Sequence, residues 1–208
     1  MSDFICLFED IIPSKFRSAD YEVKPIHITM ARQFIEQHHY SGAMSNTGTH
    51  LHGLYLKNGI QLLGVAAWLP PTKVAAMTVN KNNWRRVVAL SRLAVHPRVP
   101  TNGASFLMAA SIRLIEQEQK WVSLVTYADE FCGHTGAIYR AANWQYAGMT
   151  KPQPRWEDAS GRQVAKRATR TRTKQEMIDA GYRMVGYFAK HKFIKHLHQR
   201  RKPERFAA

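Results

Sequence analysis

Val87–Val95 reads VVALSRLAV, stops at His96-Pro97, and is followed after Asn102-Gly103-Ala104-Ser105 by the run Phe106–Gln119. An apolar, branched run of this length, closed by a proline that cannot donate to a ladder, predicts a buried strand. Leu107, Ala110, Leu114 and Ile115 then recur at helical spacing and predict one apolar face. Val122–Tyr127 is a second strand and ends in Ala128-Asp129. A helix between two strands that pair in parallel is a βαβ crossover, so the stretch 87–127 sets the class as α/β.

Reading outward from it adds elements on both sides. Upstream, Leu51–Leu56 and Leu62–Leu69 are apolar runs joined by Lys57-Asn58-Gly59, a hairpin signal, and Pro70-Pro71 ends the second. Before them Thr29 is placed to cap a helix through Phe34 and Ile35 that ends at His38-His39-Tyr40, next to the small-residue loop 41–48. Downstream, a helix after Gly136 carries Ile138, Tyr139 and Ala142, and Trp144–Gly148 closes as a strand. The expected architecture is a mixed central sheet flanked by helices.

The charge is uneven. Thirty Lys plus Arg stand against fifteen Asp plus Glu in 208 residues, a net +15. Residues 151–208 hold sixteen of the bases and five of the acids, so residues 1–150 are close to balanced. An excess of this kind draws a polyanion. Basic residues interleaved with threonines, as in Lys166-Arg167-Ala168-Thr169-Arg170-Thr171-Arg172-Thr173-Lys174, suit phosphate contacts that position a protein without reading sequence, or else form a solvated face. The expected partition is a compact domain over 1–150 and a basic segment over 151–208 that packs on it and touches double-stranded DNA. Within that segment Thr173 and Glu176 have capping-box spacing for a helix to Ala180, Tyr182–Phe188 reads as a strand, and the last fifteen residues read as a frayed basic helix or tail. With Cys6 and Cys132 the only cysteines, no disulfide framework or CxxC zinc site is implied; no run is apolar enough to span a bilayer and no basic leader opens the chain, so a reducing cytoplasm is the expected setting.

The order of elements resembles the GNAT-type N-acetyltransferases. In that family backbone N–H groups at the start of the central helix hold the pyrophosphate of acetyl-CoA, which the resemblance places on Asn102, Gly103, Ala104 and Ser105, although only Gly103-Ala104 fits the family's usual glycine-rich wording. More closely, His38-His39-Tyr40-Ser41-Gly42, Leu90-Ser91-Arg92-Leu93-Ala94-Val95-His96-Pro97, Asn102-Gly103-Ala104-Ser105, Thr126-Tyr127-Ala128-Asp129 and Gly136-Ala137-Ile138-Tyr139, with Trp144, are similar in order and spacing to the Mom family of phage DNA-modification proteins. That resemblance implies conversion of the adenine N6 amine in DNA to a methylcarbamoyl adduct, which shields phage DNA from host restriction. It leaves the donor open between acetyl-CoA and an aminoacyl (glycyl) carrier such as a tRNA, and leaves a homodimer open as well.

An exocyclic adenine amine is a poor nucleophile, because its lone pair is delocalised into the ring. Modifying it calls for a proton acceptor, stabilisation of developing negative charge, and a pocket for an extruded base. Asp129, just past a strand end, is the candidate acceptor, or a cap for the turn that follows it. Tyr139 is the candidate general acid by the resemblance, or a core aromatic. Ser105 lines the donor cradle, caps the helix, or does both. His38 and Tyr40 are candidates for the base pocket, the plain reading of a histidine there being a favourable interaction with the helix C-terminus. His50 and His52 share a strand face and, with Asp129, form a candidate iron or zinc site; Arg92 faces phosphate or is paired structurally. The DNA contacts are assigned to Arg92, Lys166, Arg167, Arg170, Arg172 and Lys174. An adenine methyltransferase is disfavoured, since no Asn/Asp-Pro-Pro-Tyr tetrapeptide occurs. An acetyltransferase acting on a protein or small amine, and a DNA-binding protein without catalysis, remain as alternatives.

Overall fold

A computed structural model describes residues 12–164, 169 and 171–198. The chain divides into two compact units, one of residues up to Thr126 together with the stretch from Ile194, the other Tyr127–Phe193. The division cuts across the expected basic segment, whose part up to Phe193 groups with the chain from Tyr127 onward.

In the first unit, strands β1 (Tyr21–Pro25), β2 (His50–Leu56), β3 (Gly64–Leu69), β4 (Val87–Val95) and β5 (which starts at Ser123 and ends in the second unit at Asp129) lie side by side in chain order. The first three pairings are antiparallel; β4 and β5 pair in parallel from Val87↔Ser123 to Leu90↔Thr126. The crossover between them is α3 (Gly103–Gln117), as the spacing predicts, preceded in the chain by α1 (Ile28–His38) and the short α2 (Lys73–Met77). α1 is capped by the His27 side chain, which accepts from the Thr29 N–H, so Thr29 lies inside the first turn and is not the cap.

β3 shows why the sheet is covered on both faces. Val65 and Ala67 pack with Ala31, Phe34 and Ile35 of α1, and the Trp68 indole N–H donates across 2.7 Å to Ser111 on α3. Alternate side chains of a strand point to opposite faces, so a strand apolar at every position needs a helix on each side. Leu107, Met108 and Ile115 of α3 are wholly buried, and truncating any one of them to alanine costs about 2–5 kcal/mol. Gly103 opens α3 because a Cβ there would sit 2.2 Å from Val99 Cγ1.

The second unit holds the end of β5, α4 (Ala137–Ala141), β6 (Gln145–Met149), β7 (Gln153–Glu157), α5 (Lys174–Asp179), β8 (Arg183–Phe188) and the start of β9, which begins at Lys190 and ends in the first unit at His196. β9 lies beside β6, while β7 and β8 form a separate antiparallel ribbon. α5 has the full capping box, Thr173 and Glu176 each bonding the other's backbone N–H. Of the fifteen residues expected as a basic helix or tail, Ile194–His196 instead end the strand β9, in which Phe193, fully buried, packs against Tyr139 and Tyr146, while those from Gln199 fall outside the described residues. The ring of Phe193 also dictates Gly136, whose φ is +76° and where a Cβ would meet Phe193 Cε2 at 2.2 Å.

Buried polar contacts tie β2 and β3 to α3. His52, 5% exposed, has Nδ1 at 2.5 Å from Ser111 Oγ, which also accepts the Trp68 indole proton. Burial, reinforced by neighbouring His50, pulls the His52 pKa from 6.5 down to about 4. A histidine neutral in the fold but able to protonate when unfolded gives stability that is complete above its unfolded pKa and is lost as pH falls toward the folded one. Denaturant titrations should therefore show stability dropping by about 1.4 kcal/mol per pH unit from near 6.5 toward pH 4, beyond the slope of a His52→Gln variant. Ser111→Ala, which leaves the indole and the imidazole without this partner, should lower stability by about 1–3 kcal/mol at pH 7.

Candidate active site

In the first unit, Asn102 takes the cap position of α3 with φ +82°, and its side chain makes no capping bond. The Gly103 N–H turns back to Pro100 O, and Ser105 Oγ donates to Asn102 O at 2.9 Å, so the serine sits within the first turn and is not the cap. The N–H groups of Ala104 and Ser105 lie where a helix supplies no internal acceptor, at the positive end of its dipole. That donor set fits one phosphate of a pyrophosphate.

The loop that follows α1 is held from β4. Arg92 donates to Ala43 O, Ser91 O and Ser91 Oγ; burial lowers its pKa, against a smaller opposing effect of Tyr40. Arg92 thus gives its Nε–H to this loop and one terminal nitrogen to its strand neighbour Ser91. Tyr40 is 53% exposed, while His38 is tilted against Phe34 and faces His96 at 5.1 Å; burial first, then His96, lowers its pKa. The structure so gathers His38, Tyr40, Arg92 and His96 around residues 39–43.

The expected metal set is corrected. His50 and His52 do share a face, with rings 6.2 Å apart, but His50 accepts the Trp121 indole proton on Nε2 and contacts Glu118 through Nδ1, and His52 is bonded to Ser111. Among the described residues no group of three His, Cys, Asp or Glu is placed to hold a metal ion. Trp68 is a core residue with no exposure. No helix among the described residues is long and apolar enough to cross a membrane.

In the second unit Asp129 is 2% exposed and carries two cations on one oxygen, the Arg155 guanidinium and Lys190 Nζ at 2.7 Å, while its other oxygen accepts the Phe131 N–H. Burial by itself pushes the carboxyl pKa up, but the hydrogen bonds and charges of Lys190 and Arg155 outweigh it, and the net shift is downward. A carboxylate so held stays ionised and is a weak proton acceptor. Its physical role is to fix two cations. Arg155 and Lys190 both line a cavity of about 670 Å³, together with Tyr127, Gln153, Trp156 and Phe188. Tyr139 on α4 packs against Trp144 and Phe193. Of the basic residues read from the sequence, Lys174 and Arg172 are exposed, Arg172 lying 5.9 Å over the Tyr182 ring; Lys166, Arg167 and Arg170 fall outside the described residues. Arg155 and Lys190 were missed, because one basic residue in a basic stretch carries no local mark of a carboxylate distant in sequence.

A mixed sheet flanked by helices, with a parallel pair bridged by the helix whose N-terminus can hold a phosphate, defines the GNAT class of fold. The chain is similar to the polyamine N-acetyltransferase of Drosophila melanogaster (TM-score 0.51, 11% identity, 86% of this chain and 100% of that one) and to the ribosomal-protein-S18-alanine N-acetyltransferase of Escherichia coli (0.50, 13%, 90% and 99%). At these identities the likeness is one of fold. Within that class the chain belongs to the Mom protein family, which it matches over residues 20–205. It is 31% identical over 145 residues to the methylcarbamoylase Mom of Escherichia phage Mu, across 64% of this chain and 56% of that protein, so the match spans little more than half of the relative's length.

Removing the Asp129 charge leaves two cations facing each other around a buried neutral group. Asp129→Asn should lower unfolding free energy by about 3 kcal/mol at pH 7. Because the folded carboxyl titrates below its ordinary value, the wild-type advantage over this variant should be complete above about pH 4 and shrink as pH falls further, which paired denaturant curves would show.

Proposed function

We propose that this chain modifies DNA, adding a small carbonyl-bearing group to the N6 amine of adenine to leave the methylcarbamoyl-type adduct, and so protects phage DNA from host restriction. The observation that carries the reading is the match to the Mom family, which contains a methylcarbamoylase, over a stretch that includes the Asp129–Arg155–Lys190 cluster. The strong basic excess suits a DNA substrate, with Arg172 and Lys174 exposed for backbone contacts and Lys166, Arg167 and Arg170 assigned the same task by sequence.

The chemistry asks the protein to stabilise negative charge that develops on the transferred group as the N6–C bond forms and N6 gives up a proton. Arg155 and Lys190, fixed by a buried carboxylate, are preorganised cations of the kind that does this without rearrangement during the reaction. Asp129 thus acts through its two partners, as a positioning residue. Where acetyl-CoA is the carrier, the Asn102–Ser105 turn would hold its pyrophosphate and the cofactor would supply the two-carbon acyl group as its thiolate departs, with an amine co-substrate supplying the nitrogen of the adduct. Tyr139 is the proton source assigned to that leaving group; His38 and Tyr40, at the loop that follows α1, are assigned to the reaction by sequence alone.

Plasmid DNA from cells expressing the chain, digested to nucleosides and weighed by mass spectrometry, should contain a new adenine adduct. Tyr139→Phe and Asp129→Asn should lower its yield by about a hundredfold or more. Unmodified adenine from soluble wild-type protein would sink the reading; acetylation of polyamines or protein amines by the same preparation would put an amine acetyltransferase in its place.

A further inference from the structure

Between β6, which ends at Met149, and its sheet neighbour β9, which begins at Lys190, the chain makes a long excursion over residues 150–189. Connections between elements are commonly a few residues long, so an excursion of this length calls for a role of its own. It carries nine Lys and Arg against four Asp and Glu, folds as the β7–β8 ribbon with α5, and supplies most of the lining of the 670 Å³ cavity.

That cavity has the chemistry of a nucleotide site. Tyr127, Trp156 and Phe188 give aromatic walls, as a flat unsaturated ring requires, and Gln153 puts an amide at the rim. Lys151, Arg155 and Lys190 make it cationic, which suits the phosphate joined to such a ring. Arg155 gives its terminal nitrogen to Asp129, yet its Nε is buried and has no hydrogen-bond partner among the described residues. A buried, charged N–H without an acceptor costs free energy until something accepts from it. A purine offers ring-nitrogen acceptors in the plane of its edge, where a guanidinium N–H can reach them. The volume falls within the usual range for ligand sites of about 300–1,000 Å³, enough for a nucleotide and a small transferred group.

We infer that this cavity receives the extruded adenine nucleotide, with the Arg155 guanidinium donating to a ring nitrogen, Gln153 meeting the base at the rim, and Asp129 holding Arg155 in place. The inference rests on the DNA-modifying reading and names the pocket in which its acceptor lies.

The test uses the full chain and a duplex copied from a plasmid site where the adduct forms, with 8-azidoadenine at the modified position. After irradiation and proteolysis, nucleotide-bearing peptides are located by mass spectrometry. Crosslinks should fall in peptides that contain Tyr127, Gln153–Trp156 or Phe188. Arg155→Gln should cut their yield about tenfold, and the exposed Gln153→Ala, which disturbs no buried contact, about threefold, with duplex affinity in both within twofold of wild type. Crosslinks confined to residues 38–52 or 92–105, or unchanged in both variants, would overturn the assignment while adduct formation in cells left the DNA-modifying reading intact. Protection of the same peptides by acetyl-CoA in the absence of DNA would give the cavity to the donor instead. Absence of any adduct would remove the reading and the pocket together.

Discussion

Four rungs of parallel pairing, Val87–Leu90 against Ser123–Thr126, constrain the whole first unit. Antiparallel neighbours can be joined by a tight turn, but parallel ones force the chain to travel back along the sheet before it pairs again, and α3 is that return. Once α3 must cover one face of the sheet, β3 has to be apolar where it meets the helix, and α1 has to cover the other face. The buried contacts of Ser111 with His52 and Trp68 fix where along the sheet α3 lies, since a shift of one residue along the helix would leave both polar partners stranded. The same geometry brings the helix N-terminus, with its unshared N–H groups, to the end of the long strand β4.

The candidate site of the second unit is organised by charge. A single buried carboxylate binds one cation from β7 and one from the start of β9, two places separated by most of the excursion. Neither partner would be stable beside the other without it. The site therefore derives its positive character from a negative residue, and a reading that looks only for acids and bases near a pocket takes the carboxylate for the reactive group. In the reaction proposed, its ionised state and full set of bonds leave the reactive contacts to its partners.

The parts of the fold that periodicity governs were legible in the sequence. The strand Val87–Val95, the crossover helix and the capped helix at Thr173 appear where composition and spacing put them. β1 was missed because Tyr21–Pro25 is short, half polar and ends in proline, and β9 because its basic residues conceal the pair Phe193-Ile194 that decides its fate. The candidate site was legible only in part. Asp129 was singled out by its place after a strand, but its role depended on partners that no local pattern announces. The metal reading of His50 and His52 failed for a related reason: alternation put both rings on one face, while the indole, hydroxyl and carboxylate that claim their nitrogens come from elsewhere in the chain.

The excursion over residues 150–189 also bears on how such a protein can change over time. The entropy lost in closing a loop grows only with the logarithm of its length, so inserting or deleting residues there alters the cost of folding by little more than about half a kcal/mol per doubling. The parallel rungs and the α3 core lie in the other unit and do not depend on its length. A lineage can thus lengthen, shorten or recompose this segment, and with it whatever the segment encloses, while the parallel sheet and its helix go on folding as before.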